Sequence, residues 1–180
     1  MVIDFKLVTN SIQATYLLDE INCKPLFVEG INQSFPLKKR ESPIMYCDRI
    51  AKEMLGDNQG NTLSVFKGVF IGRRLIGIPS DDEIHSILKL YSGRNHIIHT
   101  SVVLKRLDGT VSSRRTSTRV KVKHLSNVEA EAYISSKQWE GNNGGYDFTG
   151  LFQRFVMQIT GSHSGAIGMP CYEIANLLQR

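Results

Sequence analysis

Residues 79–123 read PSDDEIHSILKLYSGRNHIIHTSVVLKRLDGTVSSRRTSTRVKVK, and this stretch decides the fold. Ser80 with Glu83 is a capping box, in which hydroxyl and carboxylate satisfy the N–H groups left open at a helix start. Ile84, Ile87, Leu88 and Tyr91 then recur at helical spacing until Gly93 stops the helix. Beyond it, 96–107 and 110–123 predict two long strands, joined by Asp108-Gly109, a dipeptide suited to a type I′ hairpin turn.

Upstream, 2–9 reads as a strand, and Asn10-Ser11 as the start of a helix with Ala14, Leu17, Leu18 and Ile21 on one face. A second short strand is expected over 25–29. Ser42-Pro43 opens another helix, striped by Cys47, Ile50, Ala51 and Met54 and stopped by Gly56. Residues 62–71 are β-rich, and Gly72-Arg73-Arg74 turns them into Leu75-Ile76. Downstream, Ser126 and Glu129 form a second capping box for a helix reaching Ser136. Residues 151–159 read as helix or strand, and 172–178 as a terminal helix. Strands alternating with helices, together with an antiparallel hairpin, predict an α/β fold with a mixed sheet. No linker or repeat divides 1–180, so one domain is expected.

At 180 residues, 41% hydrophobic and 22% charged, the chain can bury a substantial core. No apolar run approaches the roughly eighteen residues of a membrane span, and the acid at Asp4 makes the first residues a strand rather than a leader. Cys23, Cys47 and Cys171 are scattered without metal spacing, which predicts reduced buried thiols in a cytoplasmic protein. The net charge of +5 suits an anionic ligand but does not by itself say where one would bind.

Four segments carry more specific information: Leu7-Val-Thr-Asn-Ser-Ile-Gln-Ala-Thr-Tyr-Leu-Leu18, Gly72-Arg-Arg-Leu-Ile-Gly-Ile-Pro79, Leu90-Tyr-Ser-Gly-Arg-Asn-His-Ile-Ile-His-Thr100, and Gly144-Gly-Tyr146 followed by Gly161-Ser-His-Ser-Gly-Ala-Ile-Gly-Met-Pro170. In this order and spacing they resemble the L-A-S-x-S-P-R-R-x-x-L-L, G-K-P, L-S-G-R-x-H-x-V-x-T and G-G-Y…G-S-Y-x-N-V-x-G-L-P patterns of the Maf family of nucleoside-triphosphate pyrophosphatases. The resemblance implies an α/β mixed sheet with flanking helices, two lobes around a central cleft and commonly a homodimer. The implied reaction splits a modified or surplus nucleoside triphosphate into monophosphate and pyrophosphate, with Mg²⁺ or Mn²⁺.

The departures from those patterns run in one direction. The arginine pair becomes Gln13-Ala14, the acid after the second strand falls at Gln33, and the lysine of the following helix falls at Met54. The aspartate–threonine pair that the family presents to metal or water becomes Phe66-Lys67, or Lys67 takes the aspartate position after a one-residue slip. No Asp or Glu occurs between Gln59 and Ser80. The G-K-P lysine is Ile78, the lysine before G-G-Y is Asn142, and the glutamine after it is Thr149. Cleavage between α and β phosphates needs charge neutralisation and an activated water, so the expectation is weak or lost catalysis. No residue is assigned as catalytic or as a metal ligand, and a cation is expected only if activity remains. Ser11, Gln13, Gln33, Lys67, Arg73 and Thr149 are the residues expected to line a cleft for a nucleotide or another phosphate compound. Glu53 and Asp147 are the acids that could compensate, although acids on a helix or loop are usually just solvated.

In the strand 110–123, Ser113, Arg115, Ser117, Arg119, Lys121 and Lys123 share one face by period-two spacing. The preferred reading is a solvated strand whose lysines discourage edge pairing, because no aromatics interleave for base stacking. The other reading is a non-catalytic interaction or regulatory protein that touches nucleic acid through this hairpin.

Overall fold

The computed structural model describes residues 3–31 and 35–179. Seven strands are found among them: β1 (Lys6–Thr9), β2 (Phe27–Gly30), β3 (Thr62–Ile71), β4 (Arg74–Ile76), β5 (Asn95–Lys105), β6 (Val111–Val122) and β7 (Val156–Thr160). They form one mixed sheet in the order β2-β1-β3-β5-β6-β7, with β4 paired to β3. The helices are α1 (Tyr16–Glu20), α2 (Pro43–Glu53), α3 (Asp81–Tyr91), α4 (Asn127–Ser135), α5 (His163–Ile167) and α6 (Cys171–Leu178). The class is α/β, a mixed sheet with flanking helices. No helix among the described residues is long and apolar enough to cross a membrane.

Residues cluster into two compact units: one takes the chain to Lys67, His99–Ser117 and everything from Ser162, the other Gly68–Ile98 and Thr118–Gly161. In the first, β1 runs parallel to β2 and β3, setting Leu7 opposite Val28 and Leu63. Thr62 to Phe70 of β3 are buried without a break, the pattern of a strand covered on both faces. In the second, Tyr91, Tyr133, Tyr146, Phe152 and Phe155 form an aromatic core, with Tyr146 stacked on Phe152 at 4.0 Å.

Both capping boxes form as read, at Ser80/Glu83 and Ser126/Glu129. Four expectations need correction. The helix beginning at Asn10-Ser11 is broken into a 3-10 turn, Ile12–Ala14, and the short α1, with Leu17 only half-buried. The hairpin turn is closed by the Gly109 N–H donating to the Arg106 carbonyl. Gly109 is left-handed (φ +83) and Asp108 is not, which gives a type I turn with a left-handed glycine instead of type I′. Residues 151–159 are both things in turn, a 3-10 segment Leu151–Phe155 and then β7. Cys23 and Cys47 are buried but Cys171 is half-buried; burial pushes the Cys23 and Cys171 thiols upward.

Candidate functional site

Strand β1 ends at Thr9, and the next side chain continues its pairing. The Asn10 amide accepts from the Lys67 backbone N–H and donates to the Lys67 carbonyl, both at 2.8 Å. This clamp fixes the backbone of residue 67 beside Ser11. From there the Lys67 side chain runs inward, 3% exposed, and its ammonium donates to the Ile167 carbonyl at 3.3 Å, at the carboxyl end of α5. A cation is favoured there by the partial negative charge of the last carbonyls. Ser11 is fully buried, its N–H donating to Thr9 Oγ1 at 3.0 Å and its hydroxyl to Asn10 Oδ1 at 3.4 Å.

Gly168 is the point where these groups meet. A Cβ there would lie 2.5 Å from Ser11 Oγ, 2.7 Å from Ser11 Cβ and 3.3 Å from Lys67 Cδ, and its φ of +117 suits glycine. The short helix α5 before it is held by Ser162 Oγ, which accepts from the Gly165 N–H, and by Thr100 Oγ1, which donates to the Gly165 carbonyl. The Ser162–Gly168 stretch therefore packs Ser11 and Lys67 against bare backbone. Sequence reasoning named Ser11 and Lys67 but missed Asn10; a polar side chain directly after an apolar strand end was the available signal.

Phe66, which with Lys67 is one of the two positions where the family pattern would have its aspartate, is 5% exposed. Its ring packs edge-on against Phe35 at 6.1 Å and Tyr46 at 5.8 Å, and the Tyr46 hydroxyl donates to the Phe35 carbonyl at 2.9 Å. Hydrocarbon fills this position and the adjoining residue carries a buried ammonium. Among the described residues, no group of carboxylates, imidazoles and thiols that could hold a metal ion is found here or elsewhere.

The other named residues fall as follows. Gln13 is exposed on the 3-10 turn after Ser11. Gln33 lies outside the described residues. In the second unit, Arg73 is exposed in the β3–β4 turn and Thr149 is exposed in a turn where its N–H and hydroxyl both donate to Asp147 Oδ1. Asp147 is thereby engaged in closing that turn. Glu53 pairs with Arg49 one helical turn away at 3.1 Å, its side chain 45% exposed. Missed altogether was Asp48, a buried carboxylate on α2. Burial opposes its ionisation, but hydrogen bonds from Arg115 and Lys52, each at 2.9 Å, more than offset this and hold its pKa below the usual range.

The family-like motifs of the second unit serve the core. Gly144 and Gly145 are left-handed, and a Cβ on them would run into Val69 at 2.7 Å and Pro79 at 3.0 Å. Their carbonyls accept from the Tyr91 and Tyr133 hydroxyls, and the Gly144 N–H donates to Gly77. His96 bonds through Nε2 to the Tyr146 hydroxyl; burial drives its pKa down to about 3.

Residues 76–180 match the family model described as Maf-like protein. The chain is 31% identical over 174 residues to a dTTP/UTP pyrophosphatase of Agrobacterium fabrum, covering 90% of this chain and 84% of that one. It is 36% identical over 146 residues to a dTTP/UTP pyrophosphatase of Cereibacter sphaeroides, covering 78% and 76%. A nucleoside triphosphate pyrophosphatase of Neorickettsia sennetsu is 32% identical over 182 residues, 98% of this chain and 87% of the relative.

Proposed function

Because this chain belongs to the Maf family of nucleoside triphosphate pyrophosphatases, we propose that it is a member whose release of pyrophosphate is weak or lost, and whose remaining capacity is to hold a nucleotide or another phosphate compound. The observation that supports this reading is Phe66, an aromatic ring enclosed by Phe35 and Tyr46 where the family pattern, counted back from Gly77-Ile78-Pro79, has an aspartate; a one-residue slip puts the Lys67 ammonium there instead. Such a ring neither takes a proton from water nor holds a cation against a phosphate.

Each group the reaction needs is reduced in the same sense. General acid–base help contributes about 10²- to 10⁴-fold, and electrostatic stabilisation of the developing charge often more. Gln13 and Ile78 stand where the pattern has cations, and neither offers the charge-assisted bonds that grip a phosphate. Among the described residues, Lys67 is the cation that packs with Ser11 around Gly168, and its ammonium donates to the end of α5. Its ammonium and the Ser11 hydroxyl are the donors that a phosphate would use in place of their present partners.

Pyrophosphate release from dTTP, UTP and the other nucleoside triphosphates, with Mg²⁺ or Mn²⁺, tests the proposal directly, with the Agrobacterium fabrum relative assayed in parallel. A rate at least about 10³-fold below that of the relative is expected. Comparable rates would refute it.

A further inference from the structure

The cationic face of β6 is not uniform in its partners. At its two ends the charges are used internally: Arg115 bonds to Asp48 at 2.9 Å and Lys123 to Glu129 at 2.6 Å. Between them, Arg119 and Lys121 are exposed, and among the described residues neither forms an ion pair or a side-chain hydrogen bond. The antiparallel register places Thr160 of β7 directly opposite Arg119, and Gln158 opposite Lys121. Asn95 of β5 joins them, and these five residues line a shallow depression of about 240 Å³ with no carboxylate in its wall.

All of these residues lie in the second unit, and all are exposed on strands of the sheet. Cross-strand partners stand about 5 Å apart and alternate residues along β6 about 7 Å. The result is a small grid: two cations in line, with a hydroxyl and two amides beside them. The repeat of the cations is of the order of the separation between successive phosphates on an extended nucleic-acid strand. Thr, Asn and Gln, with Arg and Lys, are the side chains that usually contact phosphate and sugar oxygens. No aromatic lines the depression, so base stacking is missing from this face, and any hold on a strand comes from the phosphate contacts alone.

We propose that this face of β5, β6 and β7 binds single-stranded nucleic acid through two consecutive phosphates, without sequence preference, independently of the pyrophosphatase site. The test is fluorescence anisotropy of a labelled oligothymidylate and an oligoadenylate over a range of salt concentrations, on the full chain and on the double variant Arg119→Gln/Lys121→Gln. Both substitutions are on exposed positions, and circular dichroism checks that the fold is kept. The wild-type protein should bind both oligonucleotides alike. The double variant should bind at least tenfold more weakly, with the slope of log K against log salt shallower by about 1.4, the contribution of two released counterions on a single strand. Thr160→Val, which removes a donor and no charge, should weaken binding while leaving the slope unchanged. Absence of binding, binding unaffected by the double variant, or tighter binding of a poly-glutamate peptide than of either oligonucleotide would each overturn the proposal.

Discussion

His96 makes the stability of this protein depend on pH in a way that can be worked out in advance. In the unfolded chain its imidazole takes a proton as the pH falls through about 6.5, whereas in the fold burial lowers that value to about 3. Its surroundings are the rings of Tyr91 at 4.6 Å and Tyr146 at 5.6 Å, and the Tyr146 hydroxyl on Nε2; burial keeps both phenols neutral. Between pH 6.5 and 3 the unfolded state binds more protons, so acidification drains stability; above 6.5 the full contribution is present. Each unit is worth 1.36 kcal/mol, so this one group costs about 2 kcal/mol by pH 5. His99, also lowered by burial, adds in the same sense. Urea unfolding at pH 7, 6 and 5, followed through the buried single tryptophan, Trp139, gives the profile. The comparison is with His96→Gln, which keeps a polar atom toward Tyr146 and cannot titrate, while His99 titrates in both proteins. The variant should be less stable at pH 7 but lose about 2 kcal/mol less on going to pH 5. Equal losses in the two proteins would refute the burial argument.

Two further outcomes follow from the first unit and the acids. Gly168→Ala forces a side chain into a left-handed backbone and against Ser11, and should cost about 3 kcal/mol in a urea titration. Glu53→Gln and Asp147→Asn, changed together, should leave any residual pyrophosphate release unchanged, because one acid is tied to Arg49 and the other closes the Thr149 turn; a drop of tenfold or more in that release would assign them a chemical part.

The sequence was legible where local chemistry decides the structure. The capping boxes at Ser80 and Ser126 needed only the spacing of a hydroxyl and a carboxylate, and both form. The α2 start at Pro43 followed from the ring's fixed φ, although Ser42 makes no side-chain cap bond. Tertiary contacts were another matter. The Asn10 clamp joins residues 57 apart in the chain, and no periodicity announces it. Asp108-Gly109 suits several turns, and which one forms depends on the strands beside it. The short α5 lies in a glycine-rich segment whose own helical preference is poor; its Ser162 cap and the Thr100 contact hold it. At the candidate site, Ser11 and Lys67 were legible because a pattern pointed to them, while Asp48 stayed hidden until Arg115 was seen bonded to it.

The ring cluster around Phe66 also bears on what this position tolerates. Phe66→Asp would set a carboxylate between the Phe35 and Tyr46 rings, next to a backbone pinned by Asn10, with little water to receive its charge. The aromatic packing thus selects for an apolar side chain at this position and against a charged one.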